Sequence, residues 1–133
     1  MLNSRLLAGL AAALALALPG CSTGPTASKG KELYDSNGCA SCHGREGHGD
    51  GTIARTIEVP PTDFRHPETF VRGSTPDAIA ETLAEGIAVH LAAPATLKQS
   101  HHLLVMPQFS HLSEDERHSL ALYVLSISKE QKP

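Results

Sequence analysis

The chain has no tryptophan and only two tyrosines and three phenylalanines in 133 residues. So few large apolar side chains give one small domain little surface to bury, which favours a core completed by some large hydrophobic group. Cysteine is scarce as well: Cys21, Cys39 and Cys42 are all there is. An odd count of three does not make the paired framework of a small disulfide-stapled protein, so each thiol calls for its own use. No apolar run is long enough to cross a membrane, because the longest, residues 6–18, falls short of the roughly 20 residues needed. A large excess of one charge is also missing, the formal net charge being -3. That balance argues against the basic surface of a nucleic-acid binder.

Residues 1–20 have the make-up of an export signal: Arg5, then an apolar Leu/Ala stretch, then the Pro19-Gly20-Cys21 break. Leu18-Pro19-Gly20-Cys21 resembles the bacterial lipobox, in which cleavage before the cysteine leaves that cysteine acylated. Cys21 is therefore expected to anchor the chain by lipid on the periplasmic side of a bacterial membrane. Ser22 in place of Asp points, by resemblance to enterobacterial lipoprotein sorting, to the outer membrane. Without the signal and its Arg5, ten Lys and Arg face fourteen Asp and Glu, a formal charge of −4. A mildly acidic surface of this kind suits transient docking to a basic patch on another protein. Residues 21–28, rich in Ser, Thr, Gly and Pro, read as a linker with a reach of about 15 Å. The folded domain is expected over 29–130, and no internal repeat is visible.

Ser28 is placed to cap a first helix that carries Leu33 and Tyr34 inward, runs to about Asn37 and ends at Gly38. The five glycines between Asn37 and Gly51 read as coil, and Pro60-Pro61 forces extended backbone. Thr75, Pro76 and Asp77 begin a second helix, with Ile79 and Leu83 on one face and Gly86 closing it. Ser113 and Glu116 form a capping box for a last helix, with Glu114 and Asp115 matched to its dipole. Leu120, Tyr123, Val124 and Ile127 then recur at helical spacing. No strand pattern has comparable strength, and an all-α class is predicted.

The chemistry is concentrated in Gly38-Cys39-Ala40-Ser41-Cys42-His43-Gly44, which contains Cys-x-x-Cys-His. This is the attachment signature of c-type haem, with two thiols adding across the two vinyl groups and the following histidine ligating the iron. A thioredoxin-like thiol pair would need a βαβ setting, and a zinc site would need a second ligand pair; the sequence offers neither. One cysteine for lipid and two for haem leaves no thiol over.

From about Lys29 to Ser128 the chain resembles a class I cytochrome c. The match runs in order through a helix ending at GCASCHG, the glycine-rich Gly47 to Gly51 loop and the Pro60-Pro61-Thr62-Asp63-Phe64 segment. It continues through Met106-Pro107-Gln108-Phe109 and a closing helix entered at Leu112-Ser113-Glu114-Asp115. The resemblance implies a fold of short helices around one covalent haem c, with the first and last helices crossing through Gly30 or Leu33, Tyr34, Leu120 and Tyr123. It also implies a carbonyl near Pro60 that accepts a hydrogen bond from His43 Nδ1. Met106, the sole methionine left after the signal, would supply a soft sixth ligand that raises the reduction potential. The function implied is that of a monomeric electron carrier, not an enzyme, exchanging electrons with redox protein partners. The alternatives are a peroxidase-like haem enzyme and a haem-based sensor, each needing a displaceable or histidine sixth ligand. The main departure from the family is the stretch 87–105, which holds His90, His101 and His102; residues 94–102 are expected to form a short helix or loop over the distal side of the haem. His48, His66, His111 and His118 are expected at the surface and Asp50 and Asp63 in turns or caps. No catalytic residue is nominated.

Overall fold

A computed structural model describes residues 24–57, 59–91 and 101–130. Four α-helices carry the fold: α1 (Ala27–Ser36), α2 (Cys39–His43), α3 (Pro76–Glu85) and α4 (Glu114–Glu130). Single 3-10 turns lie at Ala54–Thr56 and Pro67–Thr69. A two-stranded antiparallel hairpin, β1 (Ile87–Leu91) and β2 (His101–Met106), stands between α3 and α4.

The expected capping box starts α4. Glu116 N–H donates to Ser113 Oγ and Ser113 N–H donates back to Glu116 Oε2, at 3.2 and 2.9 Å. The apolar stripe that follows packs against both α1 and α3. Leu33 and Tyr34 of α1, Ile79 and Leu83 of α3, and Leu120, Val124 and Ile127 of α4 are buried together, with Phe64 from the intervening coil. The crossing of α1 and α4 is close because Gly30 has no side chain: a Cβ there would overlap the Ser119 carbonyl and approach Tyr123 Cβ to 2.8 Å. Beside it, the Tyr34 and Tyr123 rings meet edge to face at 5.3 Å. The mostly helical fold and its terminal crossing thus match the expectation. Among the described residues no helix is long and apolar enough to cross a membrane.

Three local expectations differ. Helix α1 begins two residues earlier than expected, capped by Thr26 and not by Ser28, because Thr26 Oγ1 accepts the Lys29 N–H at 3.2 Å while its own N–H donates to Ser119 Oγ on α4. Ala27 and Ser28 therefore belong to the helix and not to the linker. Within the glycine-rich stretch read as coil, Cys39–His43 forms the short helix α2, opened by Gly38 at φ 72°. The stretch after Gly86 forms strands where none was expected. Ile87 pairs with Met106 and Ala88 with Leu104, an irregular step that leaves Val105 as the additional residue. Residues 92–100, most of the anticipated distal helix or loop, lie outside the described residues, and His101 and His102 are in β2. Residues 1–20 and Cys21 also lie outside them.

The N-terminal ends of α3 and α4 are joined by His118. Its Nδ1 lies 2.9 Å from the Glu114 carbonyl oxygen and its Nε2 lies 3.0 Å from Asp77 Oδ1. Both partners only accept, so the imidazolium is the form that donates to both. The His118 pKa is raised accordingly, chiefly by the Glu114 carbonyl and then by Asp77. A raised folded-state pKa stabilises fully below the unfolded value of 6.5 and is lost as pH rises through the folded value. We expect the stability lost in His118→Ala, read from denaturation midpoints, to be larger at about pH 5.5 than at about pH 9. The difference should stay below about 1 kcal/mol, since solvent screens a pair whose aspartate is 92% exposed.

Candidate functional site: a thiol-lined apolar cavity

Gly38 turns the chain from α1 into α2, and the helical period of α2 does the rest. Residues three and four apart share a helix face, so Cys39, Cys42 and His43 stand on one side of it. Cys39 and His43 line an apolar cavity between the helices. Its walls are Phe64 and Phe70 from the coil, Ile79 and Leu83 of α3, Leu120 and Val124 of α4, and Met106. The space continues outward past Cys42 to a mouth formed by Val59, Pro60, Pro61, Val71, Pro107 and Phe109. An apolar concavity with a few converging polar groups is the usual form of a small-molecule or cofactor site.

The orientation of His43 is set by the segment opposite. Its Nδ1 lies 3.1 Å from the Thr62 carbonyl oxygen. A carbonyl only accepts, which assigns the proton to Nδ1 and leaves the Nε2 lone pair available. Burial lowers the His43 pKa, with the Thr62 bond opposing, so the ring is neutral as a metal ligand must be. The Phe64 ring stacks on it at 4.6 Å between centroids and 22° between planes. Sequence reasoning placed the accepting carbonyl near Pro60; it is that of Thr62, the residue after the rigid Pro60-Pro61 pair. The coil is bound to α2 along its length, Gly49 N–H donating to the His43 carbonyl at 2.8 Å and Gly51 N–H to that of Cys42 at 3.0 Å. Phe64 N–H donates to the Gly47 carbonyl at 2.7 Å. Asp63 then closes the turn by accepting the Arg65 N–H and side chain, and the Arg65 guanidinium holds its carboxyl down to about 2.

Met106 stands half-buried at the end of β2, facing both the cavity and its mouth. Three contacts seat it, and sequence reasoning anticipated none of them. Ile87 pairs with it, Phe109 N–H donates to the Leu83 carbonyl at 2.8 Å, and Gly86 lets the Met106 carbonyl approach its Cα closely. Gly86 was legible in the sequence only as a helix terminator; in the structure its φ of 69° makes the tight corner. Val71 and Ile87 were likewise missed as lining residues, since nothing in their local pattern distinguishes them.

The competing chemistries do not fit. Burial pushes the Cys39 thiol up to about 11, far from the activated thiolate of a redox dithiol. Among the described residues no three His, Cys, Asp or Glu side chains converge as a metal site. His48, His66, His111 and His118 line neither the cavity nor its mouth; His111, for one, bonds Asn37 Oδ1 at 3.0 Å. Two thiols on one helix face, an oriented imidazole, a thioether and apolar walls together suit one planar, hydrophobic, iron-bearing group.

The stacked Phe64 requires Gly47, which adopts φ 77° and whose Cβ would overlap the Phe64 ring and come within 3.0 Å of Ile127 Cδ1. Gly47→Ala is expected to cost about 2 kcal/mol through overpacking and backbone strain, seen as a lowered denaturation midpoint. Gly73→Ala, also at positive φ but with only Ala78 Cβ nearby at 3.9 Å, should lower it less.

The sequence model of the cytochrome c family matches residues 27–128. Among solved structures, a chain of the reducing HAO-like protein complex of Kuenenia stuttgartiensis is 30% identical and superposes with a TM-score of 0.62. That match covers 81% of this chain and 47% of the other, so this chain spans about half the length of its structural relative. No curated protein matches the chain. With the family match spanning the region that builds the cavity, the chain belongs to the cytochrome c family and carries covalently attached haem c, with Cys39 and Cys42 standing where its attachment motif requires.

Proposed function

We propose that the chain is a membrane-tethered periplasmic electron carrier whose haem iron is ligated by His43 Nε2 and Met106 Sδ. The observation that carries this reading is that His43, Met106 and Cys39 line one continuous apolar space, with Cys42 at its mouth. When bound, haem c supplies a one-electron couple, and the protein supplies burial, ligands and potential. Thr62 holds the His43 ring in its ligating tautomer and raises its basicity. Met106 offers a soft thioether that favours the reduced iron, while the apolar walls keep water from it. Gly86 and the Leu83 carbonyl brace the methionine, which suits a carrier that cycles with little rearrangement and disfavours a peroxidase or sensor that needs an open position.

The fold-level likeness to one chain of a larger redox assembly fits a carrier that hands electrons to or from a protein partner. The acidic balance of the chain suits a basic docking patch on that partner. Cys21, acylated after removal of the signal, would hold the domain at the membrane, with the outer membrane favoured.

Two experiments test the reading. The oxidised protein should show the weak near-infrared sulfur-to-iron charge-transfer band. Met106→Ala should abolish it and lower the reduction potential by on the order of 100 mV, while His101→Ala and His102→Ala keep it. A band lost in either histidine variant and retained in Met106→Ala would establish histidine ligation instead. Separately, Cys21→Ala should move the protein from the membrane to the soluble periplasmic fraction; continued retention would show a different anchor.

A further inference from the structure

Arg72 does not line the haem cavity, yet it joins two parts of its frame. It follows Phe70 and Val71, whose side chains are part of the wall. Its guanidinium reaches the far end of α3, where Nη2 lies 2.6 Å from Glu85 Oε2 and Nη1 lies 3.4 Å from the Gly86 carbonyl oxygen. Those two residues form the corner on which Met106 rests. A Cβ on Gly86 would lie 2.6 Å from the Met106 carbonyl oxygen and 3.1 Å from both the Pro107 carbonyl carbon and Gln108 N. The same helix end fastens the chain just beyond, through Phe109 N–H and the Leu83 carbonyl.

Arg72 is suited to this position by its shape. A planar fork presents two donors in fixed directions to a carboxylate and a carbonyl, which the single ammonium of a lysine does not reproduce. The side chain is 28% exposed and that of Glu85 59%, so as a surface ion pair it would add little to global stability. Its consequence is local. It holds the α3 corner against the turn that bears Val71, and that corner sets where Met106 stands.

We propose that Arg72 is a positioning residue for the Met106 sulfur, holding the Glu85-Gly86 corner so that the methionine is retained on the iron. This rests on Met106 being the sixth ligand. Loosening the corner raises the population in which the sulfur is off the iron, and an external ligand that competes for that position gains apparent affinity in proportion.

The test is an imidazole titration of the oxidised, haem-loaded full-length protein, followed by loss of the sulfur-to-iron band. Arg72→Ala is expected to tighten imidazole binding by about fivefold, and Arg72→Lys, which keeps a cation near Glu85, by less. Glu85→Gln, which leaves the bond to the Gly86 carbonyl available, reads the same contact from the other side and should shift the constant in the same direction. Lys31→Ala removes a more exposed ion pair, with Asp35 on α1 (2.7 Å), and should leave the constant unchanged. The proposal is overturned if Arg72→Ala and Glu85→Gln both bind imidazole as the wild type does, or if Lys31→Ala shifts it equally. Failure of the ligand reading looks different: the wild type would lack the band, or Met106→Ala would retain it, and both ideas would fall together.

Discussion

The hydrogen bond from His43 Nδ1 to the Thr62 carbonyl, 3.1 Å long, is the contact on which the rest of the site depends. It fixes one tautomer, and with it the direction in which Nε2 offers its lone pair. A neutral hydrogen bond adds only about 1 kcal/mol to stability, so its importance lies in orientation. That orientation is secured from both sides. Gly49 and Gly51 bind the returning coil to the carbonyls of α2, and Phe64, pinned through the Gly47 carbonyl, lays its ring on the imidazole. The glycines there are conditions of the imidazole's geometry, since a side chain at Gly47 would displace the ring that supports it.

The same economy explains the core. A chain with five large aromatic residues cannot fill the space enclosed by three packed helices. Tyr34 and Tyr123 serve the α1–α4 crossing, while Phe64 and Phe70 meet at 5.8 Å on the cavity wall. What remains is an apolar hollow whose lining atoms lack partners unless a large flat group supplies them. Membership of the cytochrome c family names that group as haem c. The domain's shape and its cofactor are therefore one problem: the helices hold the walls apart and the haem completes the packing.

The two faces of the haem space are held differently. On the His43 side the restraints are short in sequence, within a loop that leaves α2 and returns about twenty residues later. On the Met106 side they come from three separate elements, α3, the β1–β2 pair and the turn at Arg72.

The sequence by itself determined the elements whose cause is local. The Cys39, Cys42 and His43 spacing, the Ser113–Glu116 capping box, the Thr75-Pro76 start of α3 and the stripe on α4 all act within one or two helical turns. They were legible because backbone hydrogen bonding and helical periodicity dictate them residue by residue. Tertiary structure decided the rest. Thr26 prevailed over Ser28 as the cap of α1 because Ser119, 93 residues away, holds its N–H. The strands Ile87–Leu91 and His101–Met106 formed where no strand pattern was evident, because strand pairing depends on which backbone lies alongside and not on local propensity. The family resemblance implied a carbonyl near Pro60 for His43, but the choice of Thr62, like the corner that seats Met106, came from the fold. Both are backbone groups, present at every position, and only the folded chain decides which of them faces a side chain.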